Sequence, residues 1–486
     1  MSVDHSSAFC AEGQVHGRLS GNLGVAEIIF MVMAAAAPLT VVSGNVPLAI
    51  AQGNGALAWT GFAAASFVLL LFSVGFVTMT PHITQAGAFF TYVREGLGAR
   101  AGRGSAFLAL LTYTAIQLGV YGFFGWAMDD AVRQWGGPAL PWWLYALAAL
   151  TLVGFLGYRH IELSSRVLGV ALILEIGVVL IMNAAILWHP LPVAAPAGTG
   201  GAASGPLAVA LLFAMTGFLG FEATAIFRDE AREPEKTIPR ATYGAVLIIG
   251  LFYAFSCWCV IEAWGPGAVT AIARTYLDNG GNMVLETAGR YAGNTVREIM
   301  QMLLLTSLFA CLLSFHNIIA RYFLVLGRET ILPGFLARTH DHHASPHAAS
   351  LSQTGTAIVL VGLAAWSGAD PLISVFGSMA GISTVGIILL MIMTSLAVVR
   401  FFQARPDLAR GQTVKTVWLP VMASVVLAAV LYIILVNFVI ITGLSALVST
   451  GLAILPFCVT IFGFCLKNTA TRSAAVVSGV ADQAAR

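Results

Sequence analysis

The chain has 486 residues, of which 58% are hydrophobic and only 9% charged, with a formal net charge of +2 and a mean hydropathy of +0.87. A soluble domain needs about a quarter of its residues charged, so this composition disfavours a soluble enzyme or a disordered chain, and the near-neutral balance leaves no basic field for a nucleic acid. The solvent for most of the chain is lipid.

A membrane-crossing helix needs about 20 apolar residues. Residues 28–93 carry no Asp, Glu, Lys or Arg, a run of 66 that holds two spans about the turn Gln52-Gly53-Asn54-Gly55. Residues 416–466 form a second such run of 51, again long enough for two. In chain order the pattern predicts twelve spans: 25–50, 57–79, 104–130, 139–157, 165–187, 206–228, 240–263, 297–326, 351–368, 371–398, 416–437 and 443–466. Residues 1–24 and 467–486 are left as tails. Twelve spans place both termini on one side. With that side cytoplasmic, the inner segments hold 20 of the 24 basic residues and the outer ones only Arg133, Arg274, Arg290 and Arg297, as the positive-inside rule requires. The expected location is the cell membrane, inner or plasma. Five of the six cysteines lie in apolar runs, and Cys257 and Cys259 point to different sides of one helix, so neither a disulfide framework nor a metal site is expected.

Two spans are interrupted. The first contains Pro38, Gly44 and Pro47, and the sixth contains Gly217 and Gly220 around Phe218. Unpaired backbone groups are costly in hydrocarbon, so a broken helix must line a cavity or a ligand, and such breaks point to a transporter's midplane site. A spacing of five spans is what an inverted five-helix repeat generates.

The exit of the sixth span reads Phe218-Leu219-Gly220-Phe221-Glu222, then Asp229-Glu230-Ala231-Arg232-Glu233-Pro234-Glu235-Lys236-Thr237-Ile238-Pro239-Arg240-Ala241. Earlier comes Pro81, then Gln85-Ala86-Gly87-Ala88-Phe89-Phe90-Thr91-Tyr92, and later Asn317 and Arg321 followed by Gly327-Arg328-Glu329-Thr330-Ile331-Leu332-Pro333. Together these resemble the signatures of the amino acid–polyamine–organocation (APC) permeases, over about residues 20 to 410. The first span departs from the family: its G-x-G-I-F string is replaced by Ala37-Pro38-Leu39-Thr40-Val41-Val42-Ser43-Gly44. The resemblance implies an all-α integral membrane protein with a LeuT-like core. That core would be a 5+5 inverted repeat (25–187 and 206–398, together 25–398) with helices 1 and 6 broken, followed by two peripheral helices in 416–466. It implies amino acids or amines as substrates, proton coupling or exchange, and no catalytic chemistry or cofactor.

The substrate site is expected at the breaks. A half-helix starting within Thr40, Val41, Val42, Ser43 and Gly44 would aim backbone N–H groups at a carboxylate, while carbonyls of Thr216, Gly217, Phe218 and Leu219 would suit an ammonium. Phe218 looks like the family's aromatic gate. On span 3, Tyr113, Gln117 and Tyr121 share a face, and Tyr113 and Gln117 join the candidate site. Glu175 stands alone at the centre of span 5, where a carboxyl must be protonated, paired or hydrated; an intramembrane acid is functional by default, and Glu175 is the first candidate for proton coupling. In several proton-coupled members of the family a lysine stands at about this position. Glu222, just after the second break, is the other coupling candidate, or else a hydrogen-bond partner of the broken backbone of span 1. Ser307, Cys311, Ser314, Asn317 and Arg321 lie on one stripe of span 8; Ser307 and Ser314 could face Glu175 or an ion, or the stripe could serve as helix–helix glue. Pro239 reads as a first-turn proline of span 7. The cluster His340, His342, His343 and His347 reads as a solvated loop. The function expected is a proton-coupled permease; the alternatives are an exchanger without net proton coupling and a non-transporting sensor on the same scaffold.

Overall fold

The computed structural model describes residues 23–83, 89–159, 165–189, 205–329, 331–338, 346–409 and 411–466. The motif residues Gln85 to Ala88, the loop histidines His340, His342 and His343, and nearly all of both tails lie outside these. Among the described residues the structure is helical, apart from one isolated bridge between Leu23 and Ala231.

Among the described residues ten helices are long and apolar enough to cross a bilayer, and the bent pair Val25–Ala34 and Pro38–Ala51 makes an eleventh. The apolar helix Trp142–Tyr158, at the fourth expected position, has 17 residues; at 1.5 Å per residue it is about 26 Å long, slightly under the hydrocarbon thickness of about 30 Å. With it the count is the expected twelve. Span 1 is thus the bent pair, and the rest are Gly55–His82, Ala99–Gln134, Trp142–Tyr158, Ser165–Trp188, Leu207–Ala225, Pro234–Trp264, Asn294–Arg328, His347–Trp366, Pro371–Ala404, Val414–Val436 and Ala446–Cys465.

Span 1 packs on span 6, span 2 on 7, span 3 on 8 and span 4 on 9. Partners five apart are the pairing a five-helix repeat produces. Span 11 lies against spans 2 and 10, and span 12 against span 3. Close approach explains some glycines on these contacts. A Cβ on Gly61 of span 2 would stand 2.9 Å from the Ala210 backbone of span 6, and one on Gly104 of span 3 would stand 2.9 Å from the Thr460 carbonyl of span 12.

Both interruptions are real, and the first lies three residues earlier than expected. The helix bends by 44° between Ala34 and Pro38. Ala37 sits at φ 46°, the left-handed region, and is the one non-glycine residue there among those described. The cause is Pro38. A proline disfavours the helical conformation of the residue before it, and having no N–H it suits the first turn of the new helix. Thr40 to Gly44, expected as the break, are instead helical, with a π-helical turn over Val41–Asn45. In span 6 the helix Leu207–Thr216 ends in turns through Gly217 to Gly220, and Gly220 at φ 103° needs its missing side chain. The chain continues as a 3-10 helix, Phe221–Glu230.

Two ties hold the ends of the broken spans. Arg232 N–H donates to the Leu23 carbonyl at 3.0 Å, joining the start of span 1 to the exit of span 6. At the far end a hairpin of two short helices, Val269–Asp278 and Met283–Ala292, seats on span 1: Arg274 Nε donates to the Ala51 carbonyl at 2.9 Å and Asn282 Nδ2 to the Ser43 carbonyl at 3.4 Å. Pro47 has no N–H to offer the Ser43 carbonyl four residues back, so Asn282 serves an acceptor the helix leaves under-used. At the start of span 7 the first-turn proline is Pro234, not Pro239, which lies inside the helix. Glu233 just ahead of it pairs with Lys236 at 2.7 Å, and the Lys236 ammonium holds that exposed carboxyl below its ordinary range.

Candidate functional site

The two breaks meet at a narrow cavity of about 30 Å³, room for very few water molecules. Span 1 lines it with Ala36, Ala37, Thr40, Val41 and Asn45, and span 6 with Thr216 and Leu219. The opposite wall comes from three unbroken helices: Ile116 and Val120 of span 3, Cys311 and Phe315 of span 8, and Phe376 of span 10.

Two backbone groups beside the first break have partners on neighbouring helices. The Ala36 carbonyl accepts the Tyr253 hydroxyl at 3.3 Å. Leu39 N–H, one of the free donors that open the second half of span 1, points to Glu175 Oε2 at 3.4 Å. The same carboxylate oxygen accepts the Ser307 hydroxyl at 3.0 Å, and Ser307 Oγ in turn accepts the Thr40 hydroxyl at 3.3 Å. Span 5 turns Glu175 inward: Ile173 and Leu174 are 62% and 51% exposed, Glu175 only 5%. A chain of contacts therefore runs from Glu175 through Ser307 to Thr40 at the cavity wall. Ser314 is not among the partners of Glu175.

Glu222 is buried at the second break. The Tyr113 hydroxyl donates to Glu222 Oε1, and Gly220 N–H donates to Oε2 at 3.0 Å. Glu222 therefore ties the broken backbone of its own span to span 3, and the bond to span 1 weighed from the sequence is not made. Thr216 donates to the Leu212 carbonyl at 2.9 Å and meets Thr384 of span 10 at 2.6 Å.

Of the eleven residues expected around the substrate, Thr40, Val41, Thr216 and Leu219 line the cavity. The others are placed elsewhere. Phe218 is 1% exposed and packs edge-on against Tyr253 of span 7, ring centroids 5.9 Å apart; the rings over the cavity are Phe315 and Phe376. Gly217 packs on Val41, and Gly44 lies under the ring of Phe123. Ser43 lies in a crevice with Trp126 and with Asn282 of the short-helix hairpin, and Val42 is fully buried. On span 3 the polar stripe is turned off the cavity. Gln117 donates to the Leu312 carbonyl at 3.2 Å and accepts from Gln353, holding spans 3, 8 and 9 together. The cavity stripe is its apolar neighbour, Ile116 and Val120.

A family model described as "Amino acid permease" matches residues 27–474. The chain belongs to the amino acid permease family. Among curated proteins it is similar to the branched-chain amino acid permease BcaP of Bacillus subtilis (strain 168), 24% identical over 77% of this chain and 79% of that one. An uncharacterised transporter of Mycobacterium tuberculosis (strain ATCC 25618 / H37Rv) is 27% identical over 63% and 65%. The L-asparagine permease of Escherichia coli (strain K12) is 25% identical over 43% and 46%.

As a member of this family the chain is a multi-pass membrane protein of the transporter class. Eight wall residues of this permease were not among the expected site residues: Ile116, Val120, Cys311, Phe315 and Phe376, with Ala36, Ala37 and Asn45 on span 1. An apolar side chain facing a cavity has the same signature as one facing another helix. Cys311 stands on the expected stripe of span 8, one turn after Ser307, and Phe315 follows it by another turn. Among the described residues no three His, Cys, Asp or Glu side chains stand close enough to hold a metal.

Proposed function

We propose that this permease is a proton-coupled secondary transporter of amino acids that works by alternating access, residing in the cell membrane with both termini cytoplasmic. The observation that carries the reading is the Glu175 carboxylate, which meets the broken helix at Leu39 N–H and the unbroken span 8 at Ser307, one contact away from Thr40 in the cavity wall. A change of protonation there alters the bonds between the element that is interrupted and the element that is not, which is where a substrate-gated motion must act. The substrate's ammonium and carboxylate would be received by the breaks, with Thr40 and Thr216 beside them. The relatives carry names for branched-chain amino acids and for L-asparagine, so what their names share is the amino acid backbone.

The test is uptake by proteoliposomes. A panel of amino acids and amines is offered under an imposed pH gradient, a sodium gradient or neither. Accumulation driven by inward proton flow, with none driven by sodium at fixed pH, supports the reading. Exchange that ignores both gradients would make the protein an exchanger without net proton coupling.

A further inference from the structure

We infer that the permease selects amino acids with apolar side chains, and that Ile116, Val120, Cys311, Phe315 and Phe376 set this preference. The inference rests on the reading that the cavity between the breaks is the substrate site. It goes further by assigning the chemistry of the substrate's variable end.

The cavity is divided by polarity. On the side of spans 1 and 6 stand the broken backbone and the three polar side chains of the lining, Thr40, Asn45 and Thr216. Each is already donating to a neighbour: Thr40 to Ser307 at 3.3 Å, Asn45 Nδ2 to the Phe213 carbonyl at 2.7 Å, Thr216 to the Leu212 carbonyl at 2.9 Å. On the opposite side, spans 3, 8 and 10 contribute only apolar groups, two aromatic rings and a thiol. Among the described residues no charged side chain lines the cavity. Span 3 shows that this is a matter of rotation: Gln117, one residue from Ile116, is turned away and bonded to spans 8 and 9.

A zwitterion has one polar end common to all amino acids, and that end matches the broken helices. Its side chain must then lie against the other wall. A carboxamide there would leave water without a partner to replace it, and an ionised group would be worse off. An apolar wall separates such ligands by roughly 10- to 200-fold. A diamine fits least well, since its second cation would meet the rings and aliphatic groups with no carboxylate in the lining. The two rings are held in place by aromatic neighbours: Phe376 is backed by Phe123 at 5.4 Å and Phe315 by Tyr113 at 6.2 Å.

The experiment uses the full-length purified protein in nanodiscs. Melting temperature is recorded with L-leucine, L-isoleucine, L-phenylalanine, L-asparagine, L-glutamate, L-lysine and putrescine, each titrated. The three apolar amino acids are expected to raise it at concentrations about 10- to 200-fold below those needed for asparagine, with glutamate, lysine and putrescine inert over that range. Val120→Thr, nearly the same shape, should narrow the gap between leucine and asparagine. Asparagine or a charged compound stabilising at lower concentration than leucine overturns the inference and leaves the transport reading standing. If no member of the panel shifts the melting temperature, the cavity is not the substrate site and both fall.

Discussion

Ser307 on span 8 donates a hydrogen bond from its hydroxyl to the carboxylate of Glu175 on span 5 at 3.0 Å, and the oxygen that accepts it also faces Leu39 N–H at the start of the second half of span 1. One carboxyl thus joins three helices, of which one is broken. Glu175→Gln keeps the shape and can accept the same two hydrogen bonds through its amide oxygen, but it cannot ionise. Accumulation driven by a pH gradient should be lost, while exchange of labelled for unlabelled substrate survives. Both are measured on the same reconstituted variant. Undiminished gradient-driven accumulation would remove Glu175 from coupling.

The bond from Tyr113 to Glu222 calls for a different experiment, because it ties span 3 to the break in span 6. Removing the hydroxyl in Tyr113→Phe leaves a buried carboxyl with backbone N–H groups, that of Gly220 among them, as its remaining partners. An unsatisfied buried group costs roughly 1–3 kcal/mol. The melting temperature in detergent should fall accordingly, and Glu222→Gln combined with Tyr113→Phe should cost less than the two single changes added. Additive losses would mean that the two side chains do not interact.

Much of this protein is legible in its sequence, and the reason is the solvent. Charge-free runs, basic residues gathered on alternate loops and the paired interruptions are all dictated by lipid, which punishes a buried charge or an unpaired backbone group wherever it stands. Glu175 and Glu222 stood out for the same reason. The first break is harder to place, because Pro38, Gly44 and Pro47 all interrupt a helix and only the structure shows that it stops at Ala37, just before Pro38. The cavity wall is harder still, because a helix in a bundle has several buried faces. Tyr113 and Gln117 are polar and inward, but their partners are Glu222, Leu312 and Gln353, and nothing in the order of residues separates that face from the one carrying Ile116 and Val120.

Phe218 lies inside a broken helix yet contacts Tyr253, whose hydroxyl holds the Ala36 carbonyl. Phe218→Ala should therefore act on stability. A buried Phe→Ala change costs roughly 3–5 kcal/mol in soluble cores, and the packing part of that loss is what remains in a bilayer, where the surroundings are apolar too. Phe376→Ala, in the cavity wall, should instead weaken substrate affinity with a smaller change in melting temperature. Titrating substrate against both variants decides the matter: a larger loss of affinity in Phe218→Ala than in Phe376→Ala would return the gate to Phe218.

Asn282 makes two kinds of bond that a pair of substitutions can separate. Its Oδ1 accepts from Val284 and Leu285 N–H at 3.0 and 3.3 Å, capping the helix Met283–Ala292, while its Nδ2 donates to the Ser43 carbonyl of span 1. Asn282→Ala removes both and should cost about 1 kcal/mol through the lost cap alone. Asn282→Asp keeps the cap, since a carboxylate oxygen accepts as well, but it has no donor for Ser43 and sets an acceptor against an acceptor. If the donor holds the hairpin over the cavity, both variants should open the crevice where Ser43, Trp126 and Asn282 meet. A Ser43→Cys substitution in each background reports this through its rate of reaction with a membrane-impermeant thiol reagent, read by mass spectrometry of the peptide carrying position 43. The expected order is fast in Asn282→Ala and Asn282→Asp, slow with Asn282 intact. Should Asn282→Asp react as slowly as the parent while Asn282→Ala merely melts earlier, the asparagine is a helix cap and the hairpin is held down by Arg274 and packing.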